Sequence, residues 1–206
     1  SFYLHFPILL KGMGHTVVAV DSPDLPQSPG LVKSFQARLQ CHQLVFQPWK
    51  GIEHPLPLDR ASFDAVSMLE TLEHLPCRHH SVIAQVRDAL RPGGLFLITV
   101  PNVLRMDRFL SILSGRGFPP TIHEMRKAPH DSALHFKEYM RRELKIVLRD
   151  AGFEIEILST IDFTPFEQRG ERYRNVKSLL TPLAKLWPLG GESHLVIARK
   201  PGCGKS

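Results

Sequence analysis

Short apolar runs alternate along the chain with segments whose apolar residues have helical spacing. Residues 30–39 and 81–90 have the spacing of helices, and Pro92 with the glycines that follow it ends the second one. Strands that alternate with helices predict an α/β fold, with a mostly parallel twisted sheet and helices on both faces. Four runs have the length and apolar content of strands: TVVAV (16–20), QLVFQ (43–47), SFDAVSML (62–69) and LFLITV (95–100).

The last third of the chain adds one predicted helix and two predicted strands. Apolar residues from Phe136 to Ala151 fall on one helical stripe, and Gly152 follows them as a stop signal. FEIEIL (153–158) alternates like a half-exposed strand, and SHLVIAR (193–199) has the pattern of a closing strand. We predict that these two strands pair antiparallel at the C-terminal edge of the sheet.

The length of the chain predicts one domain. A chain of 206 residues can bury a full hydrophobic core, so we expect a single domain over residues 1–200 and a tail at 201–206. Residues 101–135 are irregular and rich in Arg, His, Gly and Pro, and this length favours a functional loop, which we interpret as a substrate lid. Its first part, residues 102–118, has the pattern of an amphipathic helix that would cap the pocket or lie on a membrane surface.

The composition is that of an ordinary globular protein in a reducing compartment. Hydrophobic residues make up 43% of the chain and charged residues 22%, and no run approaches the ~18 apolar residues of a membrane span. Cys41, Cys77 and Cys203 form no CxxC pair, which argues against a disulfide framework or a zinc site. The opening SFYLHFPILLKG lacks the basic start and the cleavage site of a signal peptide. We therefore expect a cytoplasmic protein.

The formal net charge of +6 arises in the second half of the chain. Residues 1–100 hold 8 basic and 8 acidic residues, whereas residues 101–206 hold 18 basic and 12 acidic residues. Such an excess attracts an anionic substrate, nucleic acid or a lipid headgroup, or it forms a solvated basic face. We expect an anionic small molecule rather than DNA as the partner, and the oligomeric state stays open.

Asp21 is the first candidate for chemistry. It ends the strand run in HTVVAVDS, and in α/β proteins an acidic side chain at such a strand end often accepts hydrogen bonds from the hydroxyls of a ribose. The alternative is a turn former or a helix cap before Ser22 and Pro23.

Four segments in order carry a family resemblance: GHTVVAVDSP (14–23), PLPLDRASFDAVSMLETLEHLP (55–76), LRPGGLFLITVPN (90–102) and HFKEYMRRELKIVLRDAGFEIE (135–156). Together they resemble the class I S-adenosylmethionine-dependent methyltransferases, and most closely the branch that acts on small molecules. The resemblance implies a Rossmann-like fold, S-adenosyl-L-methionine as the cofactor, and methyl transfer to a small or carrier-linked substrate. Since the cofactor is intrinsically reactive, the protein mainly aligns and desolvates the nucleophile.

The resemblance implies cofactor contacts at the ends of three strands. Asp21 matches the acidic residue that holds the ribose hydroxyls, and Ser22 would lie beside the adenosine. Glu53 is the nearest substitute for the acidic residue that meets the adenine amine in relatives. The turn that lies along the methionine half of the cofactor consists here of Met68, Leu69 and Glu70. Met68 equally suits plain core packing.

Two histidines are catalytic candidates under the same resemblance. Glu73 and His74 of LEHL lie near the transferred methyl group in relatives, where the histidine would take a proton from a nucleophile or brace the site. His135 matches a histidine that precedes the helix of the fourth segment. The residues assigned to the substrate are Asn102, His123 and Tyr139.

We predict no metal site. His123, His130 and His135 lie in the lid with Glu124 and Asp131 beside them. Their spacings of seven and five residues fit no helical pair of ligands.

The sequence departs from the family pattern at its start. A first strand and a glycine loop should precede residue 14, but residues 1–15 read as the helix that follows such a loop. We interpret this as a missing beginning. The alternative is a non-catalytic relative that binds or scaffolds a partner. A nicotinamide-dependent oxidoreductase also needs a glycine fingerprint, and LEHL and LRPGG do not belong to that class.

Overall fold

The structure is a computed structural model, and contacts divide the chain into two compact units, residues 1–59 and residues 60–206. The predicted single domain over residues 1–200 stays a prediction. The described residues are 4–23, 29–75, 79–105, 108, 112, 114–115, 125–126, 135–162 and 191–202.

The first unit consists of helices that alternate with two parallel strands. Its elements are α1 (His5–Gly12), β1 (Val18–Asp21), α2 (Pro29–Cys41) and β2 (Val45–Pro48). The strands β1 and β2 pair in parallel, with Val18 opposite Val45. Leu4, Ala19 and Leu44 are buried at the centre, and the rings of Phe35 and Phe46 meet edge to face at 5.2 Å. The predicted helix at the start of the chain is therefore present as α1.

The second unit holds a mixed four-stranded sheet in the order β3-β4-β6-β5. The strands β3 and β4 are parallel, and β6 lies antiparallel between β4 and β5. The α/β class and the antiparallel pairing of the last two strands are thus confirmed. The elements are β3 (Phe63–Leu69), a 3₁₀ turn (Leu72–His74), α3 (His79–Ala89), β4 (Leu90–Pro101), α4 (Arg141–Asp150), β5 (Glu154–Ile161) and β6 (Ser193–Arg199).

Part of the core of this unit lies between α3 and the central strand β4. The helix buries Val82, Ile83, Val86 and Ala89, at the spacing that the sequence predicts. β4 begins as soon as α3 ends, so the RPGG segment that stops the helix is already part of the strand. Gly94 is required there, because a Cβ atom would lie 2.9 Å from the carbonyl oxygen of Arg91.

The predicted helix from Phe136 begins later than the apolar stripe suggests. Residues 135–140 are not helical, and α4 starts at Arg141. Tertiary contacts explain the difference, because the amide of Phe136 donates to the carbonyl of Glu73 at 2.8 Å and Tyr139 forms a β-bridge with Asn102. The predicted stop is confirmed, since Gly152 follows the helix with φ +78°.

Much of the predicted lid at 101–135 lies outside the described residues. The same holds for most of the predicted amphipathic helix at 102–118 and for His123. Within the described ranges, none of the helices combines the length and the apolar character that crossing a bilayer requires.

Candidate active site

The carboxyl ends of β3 and β4 meet at one edge of the sheet, because the two strands are parallel neighbours. Glu70, directly after β3, has φ +47°, which is rare for a residue other than glycine. Its amide donates to both the carbonyl oxygen and the hydroxyl of Thr99 on β4, at 2.9 and 3.1 Å. A constrained turn at a strand end is a common feature of functional sites.

Burial and neighbouring groups shift the pKa of Glu70 in opposite directions. Desolvation raises the pKa of Glu70 above its ordinary value. Hydrogen bonds with Thr99 and Ser193, and the electrostatic interactions with His135 and Arg105, act in the opposite direction.

Glu73 is fully buried, with an exposed fraction of 0%. Neither of its carboxyl oxygens has a hydrogen-bond partner among the described residues, and Nε2 of His74 lies 3.8 Å from Oε1. Burial, together with the charges of Glu70 and Glu138, raises the pKa of Glu73 to about 8. The Glu73 carboxyl is therefore protonated at neutral pH.

The two predicted catalytic histidines lie side by side. The rings of His74 and His135 meet edge to face, with their centroids 4.9 Å apart. Each side chain keeps 31% of its surface exposed, so each imidazole is accessible from solvent. Residues far apart in the sequence come together because the amide of Phe136 bonds to the carbonyl of Glu73.

The carboxyl group of Glu138 lies next to the ring of His135, and Glu138 is not among the site residues predicted from the sequence. Its Oε1 lies 3.4 Å from Nδ1 of His135 and 3.0 Å from Nη2 of Arg108, while the side chain is 2% exposed. Burial alone would raise the pKa of Glu138, but the hydrogen bond with His135 and the charges of Arg108 and Arg105 hold it below its ordinary value. Glu138 is therefore a carboxylate, unlike Glu73. Its position three residues after His135 was the available signal in the sequence.

Asn102 and Tyr139, both predicted to bind substrate, are buried next to each other. The side-chain amide of Asn102 donates to the carbonyl of Gly191 at 2.8 Å, and its Oδ1 accepts from the amide of Leu104 at 3.0 Å. The hydroxyl of Tyr139 lies 2.8 Å from Nδ1 of His79. These contacts hold the segments around the site together, and the predicted substrate contacts stay predictions.

His194 on β6 contacts the backbone of the segment that contains Tyr139. Its Nε2 lies 3.0 Å from the carbonyl oxygen of Tyr139 and donates to it. Burial lowers the pKa of His194 to about 4, so the imidazole is neutral at neutral pH.

Glu73, His74 and His135 each offer one donor atom, and these three atoms lie within 4.8 Å of one another. A bound cation would require such a spacing. It would also have to displace the proton that Glu73 carries at neutral pH. The predicted lack of a metal site stays a prediction.

The predicted cofactor residues fall in both units. In the first unit Asp21 ends β1, its Oδ1 accepts the amide of Ser22 at 2.9 Å, and its carbonyl accepts the amide of Trp49 at 2.8 Å. The bond to Ser22 is the one a turn former makes, and the same carboxylate can accept ribose hydroxyls. Glu53 lies in the loop after β2, where the indole of Trp49 donates to the carbonyl of His54 at 2.9 Å.

In the second unit Met68 is buried in β3, and Leu69 ends that strand before the left-handed Glu70. A carboxylate at one strand end and a constrained turn at another are each suited to one part of S-adenosylmethionine, the ribose and the methionine portion respectively. The residues present thus fit this cofactor at each of the two strand ends, taken separately.

Known proteins share both the sequence pattern and the fold. The sequence profile of a methyltransferase domain matches residues 5–158. A ubiquinone biosynthesis O-methyltransferase from Xanthomonas axonopodis pv. citri is 27% identical over 159 residues, which cover 76% of this chain and 61% of that protein. A 27-O-demethylrifamycin SV methyltransferase from Amycolatopsis mediterranei is 34% identical over 116 residues, which cover 55% of this chain and 37% of that protein.

Solved structures show the same fold at lower identity. A SAM-dependent methyltransferase from Archaeoglobus fulgidus superposes with a TM-score of 0.60 at 17% identity, over 95% of this chain and 80% of that one. One from Mesorhizobium loti superposes with a TM-score of 0.58 at 16% identity, over 96% and 86%. With the profile match over most of its length, the chain belongs to the methyltransferase-domain family and has the Rossmann-like α/β fold of S-adenosylmethionine-dependent methyltransferases.

Proposed function

We propose that this protein transfers the methyl group of S-adenosylmethionine to a hydroxyl oxygen of a small or carrier-linked molecule. The observation that carries the proposal is the pair of accessible imidazoles, His74 and His135, next to the carboxyl ends of β3 and β4. One relative is named a ubiquinone biosynthesis O-methyltransferase and another a 27-O-demethylrifamycin SV methyltransferase, and these names support oxygen as the acceptor atom.

Different residues of this chain would bind the cofactor and accept the proton. When bound, S-adenosylmethionine supplies an electrophilic methyl group on a positively charged sulfur. In the first unit Asp21 would accept hydrogen bonds from the ribose hydroxyls of the cofactor. In the second unit, taken separately, the constrained turn at Leu69 and Glu70 would suit the methionine portion. His135 would accept the proton of the acceptor hydroxyl, which would make the oxygen a better nucleophile toward the methyl group that the cofactor would supply.

Charge also favours this arrangement. Burial raises the pKa of Glu73, whereas the positive charges of Arg108 and Arg105 favour the ionised form of Glu138. The basic residues that accumulate after residue 100 favour an anionic acceptor, as proposed from the sequence. We further propose a cytoplasmic protein in which residues 101–135 cover the acceptor.

The alternative of a non-catalytic binding module accounts less well for the two histidines. A scaffold needs no accessible imidazole backed by a buried carboxylate, whereas proton transfer does. We therefore place the scaffolding function second.

The experiment uses the full-length protein and two histidine variants. Calorimetry measures the binding of S-adenosylmethionine, and release of S-adenosylhomocysteine is followed with a panel of phenols and catechols as probe acceptors. His135→Ala should lower kcat by about 100-fold or more while the Kd of the cofactor changes by less than about twofold. His80→Ala is the matched control, because His80 is exposed on α3, and both values should be retained.

Two results would contradict the proposal. Failure of the full-length protein to bind S-adenosylmethionine would favour the non-catalytic module. Binding with full turnover in the His135→Ala variant would remove His135 from proton transfer.

A further inference from the structure

We propose that Glu138 is a positioning residue that holds the neutral imidazole of His135 in the form protonated on Nδ1, with the lone pair on Nε2. The inference rests on the proposed function for the use of that lone pair, which is to accept the proton of the acceptor hydroxyl. The assignment of the proton within the ring does not depend on that function, because it rests on the contact with Glu138 and on the fact that a carboxylate only accepts hydrogen bonds.

The side chains of Glu138 and His135 are in contact, and the two residues are three positions apart in the sequence. Oε1 of Glu138 lies 3.4 Å from Nδ1 of His135, at the long end of the hydrogen-bond range that unliganded sites commonly show. The backbone around Glu138 is anchored, because the amide of Tyr139 donates to the carbonyl of Pro101 and the amide of Met140 donates to Glu143 at 2.8 Å. The backbone next to Glu138 is therefore held in place on its C-terminal side.

The chemistry of the two groups selects one tautomer. An ionised carboxylate is only an acceptor, whereas a neutral imidazole has one N–H donor and one acceptor nitrogen. If Nδ1 carried the lone pair, two acceptors would face each other in a buried site. With the proton on Nδ1, the lone pair lies on Nε2, the nitrogen that does not contact Glu138.

Arg108 keeps the carboxyl group of Glu138 ionised, which is the form that accepts a hydrogen bond from Nδ1 of His135. Its Nη2 donates to the same Oε1 at 3.0 Å, and its side chain is largely buried. The ion pair favours the charged carboxylate over the neutral acid, which could itself donate a proton. The charge of Glu138 also stabilises the imidazolium that forms when His135 takes a proton, as the carboxylate does in a catalytic triad.

A merely structural role for Glu138 is the competing explanation. In that case Glu138 only fastens the segment that carries Arg108, and the protonation pattern of His135 does not depend on it. Stability measurements cannot separate the two roles, because a substitution of Glu138 removes the ion pair with Arg108 in either case. The tautomer of His135 does separate them.

Nitrogen NMR of histidine rings in the full-length protein reads this tautomer directly. The His135 signals are assigned by their loss in His135→Asn, and spectra are recorded where the ring is neutral. We expect the Nδ1–H form in the wild-type protein and a several-fold rise of the Nε2–H form in Glu138→Gln and Glu138→Ala. Glu143→Gln is the matched control, because Glu143 pairs with Lys137 and the amide of Met140 instead, and it should leave the tautomer unchanged.

Turnover with a catechol probe then links the tautomer to the reaction. Glu138→Gln should lower kcat by about 10- to 100-fold, with the KM for S-adenosylmethionine within about twofold, and Glu138→Asp should recover part of the loss. An Nε2–H form in the wild-type protein, or an Nδ1–H form that persists in both Glu138→Gln and Glu138→Ala, would overturn the inference. Full activity of His135→Ala alongside the expected tautomer change would instead reject only the proposed function.

Discussion

The hydroxyl of Tyr139 lies 2.8 Å from Nδ1 of His79, and Nε2 of the same ring lies 2.7 Å from the carbonyl oxygen of Leu75. Since a carbonyl only accepts, Nε2 of His79 carries the proton and Nδ1 accepts from the tyrosine. This chain of hydrogen bonds joins the segment before α4 to the start of α3. It gives a buried tyrosine in the candidate site a structural role.

Tyr139→Phe should therefore act on stability. The change leaves Nδ1 of His79 without its donor, which costs about 1–2 kcal/mol of the free energy of unfolding. Urea denaturation measures it, with His80→Ala as a control because His80 lies next to His79 but is exposed. Unchanged stability together with a raised KM for the acceptor would contradict this and support a direct substrate contact for Tyr139.

Stability should fall as the pH rises above 6.5. The ordinary pKa of Glu73 is 4.5 and its folded pKa is about 8, so within this window the folded protein holds a proton that the unfolded chain has lost. His194 has the opposite sign: its folded pKa of about 4 lies below the ordinary 6.5, so stability is lost as the pH falls through that range. The effects of Glu73 and His194 on the free energy of unfolding offset each other between pH 4.5 and 6.5. Above pH 6.5 the deprotonation of Glu73 lowers the free energy of unfolding.

Glu73→Gln tests this balance. The loss above pH 6.5 should amount to at most about 1.4 kcal/mol per pH unit in the wild-type protein, and Glu73→Gln should flatten it because an amide does not ionise. Urea denaturation at several pH values measures the slope. Glu154→Gln, an exposed carboxylate on β5, should keep the wild-type slope. A slope unchanged by Glu73→Gln would show that another group titrates.

Asp21→Ala should weaken the binding of S-adenosylmethionine by about 1–3 kcal/mol, because the ribose hydroxyls would lose their acceptor. Calorimetry on the full-length protein measures the Kd. Asp64→Ala is the control, since Asp64 is exposed on β3 and pairs with Arg91 at 2.6 Å. A Kd that matches the wild type would leave Asp21 only as the turn former that accepts the amide of Ser22.

Lys200 should contribute to stability more than a surface lysine does. Its Nζ donates to the carbonyl oxygens of Arg87 at 2.7 Å and Leu90 at 2.6 Å, at the junction of α3 and β4. Lys200→Met should lower the free energy of unfolding by about 1–3 kcal/mol, whereas Lys145→Met on the exposed face of α4 should change it by less than about 0.5 kcal/mol. Equal effects in thermal or urea denaturation would mean that the two carbonyls find other donors.

Local patterns were sufficient to predict most elements of the fold. The apolar spacing of α3 places Val82, Ile83 and Val86 in the core as predicted, and Gly152 ends α4 as predicted. These features depend on side-chain periodicity and on backbone freedom at one glycine, which are properties of short segments. The order of strands is different, because nothing local shows that β6 enters the sheet between β4 and β5.

By itself, the sequence determined the α/β class, the family, and the positions of His74 and His135 as candidates. Only the tertiary structure decided that residues 135–140 are not helical, that Glu138 is a buried carboxylate next to His135, and that burial raises the pKa of Glu73. The reason is electrostatic and long-range. The charge state of a carboxyl group depends on its burial and on charges from distant segments, and neither is set by its neighbours in the sequence.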